Sequence, residues 1–296
     1  MLSPIHAEGN RLVDATGKTF KYVGAADFAL FKRSLMPNGY SALVEPRLAE
    51  WKALAQAGGY TGPIVLRVFR YAAYWNTFSI DPWSYDFAEM TKFTNYLGER
   101  GFYVDWTCGD SQEVLPEQGG PKGQQEHLNR TVAALVPCPN AFVQTCNEPF
   151  KNGIDVSKVI PPAWGTILRS SGYYWHGEVH QWDHSLDLDF IDFHPERGDD
   201  MGHKVPKWVG KCFESAVYMM PFNKPVVYAE PIGAAEQNKP GSRSNVPEYF
   251  RMMGLSIGLV AGVTFHSQEG VVGNGLGPVQ SACAAHFFSG VKGGIG

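Results

Sequence analysis

The chain has 296 residues, 44% hydrophobic and 18% charged, which is enough for a full core and suits one large α/β domain better than two small ones. A net charge of −4 leaves no basic footprint for nucleic acid, and no apolar run reaches the roughly 18 residues that a membrane-spanning helix needs. Five cysteines (Cys108, Cys138, Cys146, Cys212 and Cys283), odd in number and without CxxC spacing, favour buried free thiols over a disulfide framework.

In chain order, Ile5 to Phe20 reads as a hairpin around the turn Asp14-Ala-Thr-Gly17, expected to cover the bottom of the domain. Tyr22-Val-Gly-Ala is a first strand, and a helix over Glu45–Gln56 is stopped by Gly58-Gly59. Ile64-Val-Leu-Arg-Val-Phe is a second strand, and Asp86 caps a helix that Gly101 ends. Tyr103 to Cys108 is a third strand, Gln124 to Val136 a helix and Phe142 to Asn147 a fourth strand. Pro161 to Ser171 is read as a helix and Tyr174 to Glu178 as the fifth strand. Asp189 to His194 is the sixth strand, followed by a helix from Pro206 to Met220. Val226 to Glu230 and Gly262 to His266 are the last two strands, with helices at Pro247–Leu259 and Pro278–Ser289.

Eight strands alternating with helices predict a single (β/α)8 TIM barrel over residues 1–296, with an N-terminal β-hairpin (1–20) and an active site at the C-terminal strand ends. One unit fits poorly: Val179 to Leu188 is too short for a full helix between the fifth and sixth strands.

Two carboxylates stand at such strand ends, Glu148 in Asn147-Glu148-Pro149 and Glu230 before Pro231. Retaining hydrolysis of a glycosidic bond requires such a pair, one a proton donor and the other a nucleophile. Arg67, on the second strand, could hold Glu230 ionised, because an opposite charge within about 4–6 Å lowers a carboxyl pKa.

With the hairpin, Arg67, Asn147-Glu148-Pro149, His194 and Glu230 in these places, the chain resembles clan A glycoside hydrolases, most of all the cellulase-like family 5. The resemblance implies Glu148 as acid/base, Glu230 as nucleophile, Asn147 on the sugar 2-hydroxyl and His194 lining the site. It also has departures. His194-Pro195-Glu196 lacks the Tyr that often follows the strand-six His, Phe265-His266 stands where Trp is common, and Cys108-Gly109-Asp110 stands where a His is frequent.

The expected substrate-binding set is Asn147, Arg67, His194, Trp75, His266 and Glu269, with Trp75 drawn from the ring-rich stretch Tyr71 to Tyr85 as a sugar-stacking face. His176-Gly-Glu-Val-His180 with His184 invites a metal reading, but the Glu is one place off the His-Glu-x-x-His pattern. The expectation is therefore no metal and no cofactor. The expected partner is a polysaccharide or oligosaccharide, with no nucleic acid, no membrane and a monomeric chain. The opening Met-Leu-Ser-Pro-Ile-His-Ala-Glu lacks the marks of a signal peptide, which leaves both a secreted and a cytoplasmic home open. A polysaccharide-binding barrel without turnover and a metal-dependent hydrolase on the His176–His184 stretch are the alternatives.

Overall fold

The computed structural model describes residues 2–70, 86–109, 121–149, 152, 154, 159–160, 162–170, 172, 188–195, 214–231, 245–267 and 275–296. The chain opens with β1 (Ile5–Glu8), β2 (Arg11–Asp14) and β3 (Thr19–Phe20), which form a three-stranded antiparallel sheet. The expected turn is present: Asp14 Oδ1 accepts from the Thr16 and Lys18 amides at 2.8 and 3.1 Å, and Gly17 takes φ 81°. A further strand pairing, β1 with β2, precedes it.

The barrel strands are β4 (Tyr22–Ala26), β5 (Ile64–Phe69), β6 (Phe102–Thr107), β7 (Ala141–Gln144), β8 (Leu168–Ser170), β9 (Ile191–Phe193), β10 (Val226–Tyr228) and β11 (Gly262–Phe265). Each neighbouring pair is parallel, in the order β8-β7-β6-β5-β4-β11-β10-β9. The fold is a (β/α)8 barrel. β8 and β9 are the two ends of that order. Across the seam, the Asp189 and Phe190 amides donate to the Arg169 carbonyl at 3.0 and 3.3 Å, and Arg169 Nε donates to Asp189 Oδ2 at 2.8 Å.

Around the strands lie α1 (Leu30–Ser34), α2 (Glu45–Ala57), α3 (Phe87–Glu99), α4 (Pro121–Leu135), α5 (Pro247–Leu255) and α6 (Pro278–Ile295), with residues 214–219 also helical. Asp86 caps α3 as expected, its Oδ1 accepting from the Ala88 amide at 3.1 Å. Among the described residues, no helix is long and apolar enough to cross a membrane.

The structure corrects one assignment. The stretch read as a helix from Pro161 to Ser171 carries a turn and then β8, so strand five lies at Leu168–Ser170. Tandem prolines before Ala-Trp-Gly suggested a helix start, and three residues including an Arg and a Ser gave no apolar run to read as a strand. Tyr174–Glu178 lies outside the described residues.

Strand alternation divides the barrel interior into layers. Val65, Tyr103, Phe142, Leu168 and Phe190 join Ile5, Leu12 and Phe20 of the N-terminal sheet in one apolar cluster at the strands' N-terminal end. Two residues further along the same strands come Arg67, Asp105, Gln144, Ser170 and Asp192, all buried. Branched apolar side chains usually fill such a layer; here it is polar. The next step of two reaches Phe69, Thr107, Cys146, Gly172 and His194, at the rim. The Tyr22 ring crosses the interior to bond Asp105, and it passes over Gly24. A Cβ at Gly24 would meet Thr264 Oγ1 and lie 2.7 Å from Tyr22 Cε1. Gly24→Ala is therefore expected to destabilise the protein by about 1–3 kcal/mol through overpacking, measured as a lower midpoint in thermal or urea unfolding.

Candidate active site

Glu148 and Glu230 meet at the C-terminal mouth of the barrel. Each is 5% exposed, and a carboxylate oxygen of one lies within 4.8 Å of a carboxylate oxygen of the other. His194, buried at the end of β9, reaches both: its Nδ1 is 2.9 Å from Glu148 Oε1 and its Nε2 is 3.4 Å from Glu230 Oε1. His266, beyond β11, places Nδ1 3.8 Å from Glu230 Oε2.

Arg67 organises the Glu230 side of the mouth. From β5, its Nη1 donates to Glu230 Oε1 at 2.6 Å, while Nη2 donates to Gln144 Oε1 at 2.9 Å and Asn147 Oδ1 at 2.8 Å. Phe28 and Phe69, stacked with centroids 4.0 Å apart, lie 5.0 and 5.5 Å from the guanidinium carbon. Burial opposes the charge on Arg67, but Glu230, Asp192 and Asp105 outweigh it and leave the guanidinium held more firmly protonated than usual.

The acid/base candidate has a different anchorage. Glu148 takes φ 47°, a left-handed backbone that costs a residue with a side chain about 1–3 kcal/mol. Its amide donates to the Gly172 carbonyl at 3.0 Å, and its carbonyl accepts from the Asn152 amide at 3.0 Å. Asn152 Nδ2 also donates to the Asn147 carbonyl at 2.6 Å. Gly172 takes φ 81°, and a Cβ there would run into the Cys146 carbonyl, so the position admits only glycine.

The structure thus brings Glu148, Glu230, Asn147, Arg67, His194 and His266 together. Trp75, Glu269 and the histidines His176, His180 and His184 lie outside the described residues. Glu148, His194 and Glu230 are chemically able to hold a divalent cation. The guanidinium 2.6 Å from Glu230 opposes this, because it already places a fixed positive charge on that carboxylate.

Sequence reasoning missed the polar layer beneath the mouth. Gln144 Oε1 accepts from Thr107 Oγ1 at 2.6 Å as well as from Arg67, and Gln144 Nε2 donates to Asp192 Oδ2. Asp192 Oδ1 accepts from the Gly172 amide at 2.8 Å. Tyr22 donates to Asp105 Oδ2 at 2.7 Å. A signal was available: Asp105, Gln144 and Asp192 share the strand face of Thr107, Cys146 and His194, which polar residues inside an apolar run should have marked. Burial first, then the neighbouring Asp192, pushes Asp105 up to about 7. Burial likewise raises Asp192, against the pull of Arg67 and the Gly172 amide.

No protein-family model matches the chain, and no curated protein sequence matches it. Solved structures do. The barrel is similar to a β-glucanase from Saccharophagus degradans, with TM-score 0.63 and 14% identity over 99% of this chain and 94% of that one. It is similar to a β-mannanase from the blue mussel Mytilus edulis, with TM-score 0.59 and 13% identity over 98% and 97%. A glycoside hydrolase family 5 enzyme from Prevotella bryantii gives TM-score 0.54 and 9% identity over 90% and 95%. The chain therefore has the fold of family 5 glycoside hydrolases.

Because Asp105 holds its proton up to about pH 7 when folded but ionises near 3.8 when unfolded, the folded state binds more protons between those values. Stability therefore falls as pH rises through that window, and the loss persists above it. Replacing Asp105 by Asn removes this dependence. The gain in unfolding free energy over the wild type should grow from about pH 4 to about pH 7 and then level off, towards a ceiling on the order of 4 kcal/mol. Urea unfolding at several pH values measures it.

Proposed function

We propose that the protein is a retaining glycoside hydrolase that cleaves β-glycosidic bonds of a polysaccharide or oligosaccharide by double displacement. The approach of the Glu148 and Glu230 carboxylates to within 4.8 Å carries this reading. Retaining enzymes hold the two carboxyl groups about 5–5.5 Å apart, a spacing that oxygens this near allow.

The surroundings divide the roles. Both glutamates are equally buried, and burial favours the neutral form of a carboxyl group. Arg67 breaks that symmetry, since its charge rests on Glu230 alone of the two. Glu230 is then the ionised nucleophile. Glu148, desolvated beside that negative charge, is the group suited to begin protonated.

In the first displacement, a Glu230 oxygen bonds to the anomeric carbon as the glycosidic C–O bond breaks and Glu148 gives its proton to the leaving oxygen. In the second, Glu148 takes a proton from water, the water oxygen bonds to the anomeric carbon, and the ester bond to Glu230 breaks. Both carboxyl groups return to their starting states. Asn147, fixed through Oδ1 by Arg67, keeps its amide N–H groups for a sugar hydroxyl.

A β-glucanase of this fold has been solved with cellotetraose, and a Thermomonospora fusca β-mannanase with mannohexaose. Soluble β-glucans and β-mannans, cut within the chain, are thus the first substrates to test, followed by xylans and bacterial exopolysaccharides.

Glu148→Gln should lower kcat/KM by about 10²–10⁴-fold, and Glu230→Gln by at least as much, with unfolding midpoints close to wild type. Reducing-sugar release from the glycan panel measures both, and full activity in either variant removes that residue from the mechanism. Prolonged treatment with EDTA should leave hydrolysis unchanged, and a loss restored by a transition metal would overturn the metal-free reading.

A further inference from the structure

Two hydrogen-bond chains lead away from the glutamates, and they end on the same buried side chain. From Glu230 the path runs to Arg67 Nη1 at 2.6 Å, from Arg67 Nη2 to Gln144 Oε1 at 2.9 Å, and from Gln144 Nε2 to Asp192 Oδ2. From Glu148 the path is through the backbone: its amide donates to the Gly172 carbonyl at 3.0 Å, and the Gly172 amide donates to Asp192 Oδ1 at 2.8 Å. Each Asp192 oxygen serves one arm.

We propose that Asp192 is a positioning residue, the common anchor that sets the separation of Glu148 and Glu230. The inference rests on the reading of that pair as the reacting carboxylates, and it adds a residue that the reading does not need.

The polarity of the network fixes the role of each atom. Arg67 can only donate, so Gln144 must present its carbonyl oxygen to it and its NH₂ to Asp192. Gly172 offers Asp192 a backbone N–H, which also can only donate. Both carboxylate oxygens are therefore required as acceptors, a demand that a carboxylate meets and an amide does not. Asp192 is 1% exposed, and its hydrogen-bond partners come from β7 and the β8 end, so the anchor adds interior bonds across the seam that the Arg169 contacts with Asp189 and Phe190 already join.

The left-handed backbone at Glu148 gives the Gly172 arm something to hold, because a strained conformation persists only where its surroundings over-determine it. The Gln144 arm keeps the Arg67 fork oriented towards Glu230. Releasing either arm lets one carboxylate drift, and a misplacement of about 1 Å costs on the order of 100-fold in rate.

The test is a polarity swap. Asp192→Asn alone turns an NH₂ group towards an N–H donor in one arm or the other. Gln144→Glu alone sets two carboxylates against each other. The double variant Gln144→Glu/Asp192→Asn reverses the direction of the bond between the two positions and leaves every other partner satisfied, with the net charge unchanged. On soluble β-glucan and β-mannan, Asp192→Asn should lower kcat by about 100-fold with KM changed less than about threefold, and the double variant should recover at least about tenfold of that loss.

Crystal structures of the two variants provide a readout that does not depend on turnover. The nearest Glu148 and Glu230 carboxylate oxygens should lie about 1 Å further apart than in the wild type in the single variant, and return to the wild-type spacing in the double. A folded Asp192→Asn with unchanged kcat or unchanged carboxylate spacing overturns the proposal. So does a double variant that fails to fold, or that folds but is no better than the single one. Should Asp192→Asn itself not fold, the double variant decides alone. A wild-type protein inactive on every glycan would instead overturn the hydrolase reading, and the crystallographic comparison would still judge the anchor.

Discussion

The interior of this barrel is organised by one buried positive charge. The Arg67 guanidinium is inaccessible to solvent, and an unpaired charge in such a place costs several kcal/mol. Its partners are therefore obligatory. Glu230 supplies the countercharge, Gln144 and Asn147 supply neutral acceptors, and Phe28 and Phe69 supply ring faces. These come from β5, β7 and the loops beyond β4, β7 and β10, so satisfying a single side chain draws most of one side of the mouth into register.

The layering of the interior arises from the same demand. The lower layer is apolar and closed by the N-terminal sheet, where Phe20 packs edge-on against Tyr103 at 5.0 Å. With water excluded from below, the polar layer above it must find its partners within the protein. Tyr22, rising from the lower layer past Gly24, is one result, since its hydroxyl gives Asp105 a donor. Pushed up to about 7 by burial and by Asp192, Asp105 carries only part of a negative charge at neutral pH, which lightens the charge that Arg67 must balance.

Where the backbone ladder is thin, side chains replace it. β8 and β9 are three residues each and stand at the two ends of the strand order. Arg169 and Asp189 join them on the outside, and the Asp192 bonds to Gly172 and Gln144 join them within. The same carboxylate thus completes a barrel wall and supports the mouth above it. A rigid wall matters there, because Glu148 holds a backbone conformation that relaxation would abandon.

Seven of the eight strands, five helices and the two strand-end glutamates were legible in the sequence, because apolar runs and caps are local signals. Ile64 to Phe69 reads as a strand buried on both faces, and Asp86 reads as a cap before any partner is known. The identity of Arg67, Asn147, His194 and His266 as residues of one mouth also emerged, once strand ends were taken to converge. Strand five did not, since Leu168-Arg169-Ser170 is specified by neighbours on both sides and not by its own composition. The anchor under the site was equally hidden. Gln144 and Asp192 are 48 residues apart, and only the closed barrel sets an amide of one strand against a carboxylate of another. Sequence determines which faces are apolar and where chains turn; the distances between groups, and so which charges must share a partner, exist only after the strands have closed.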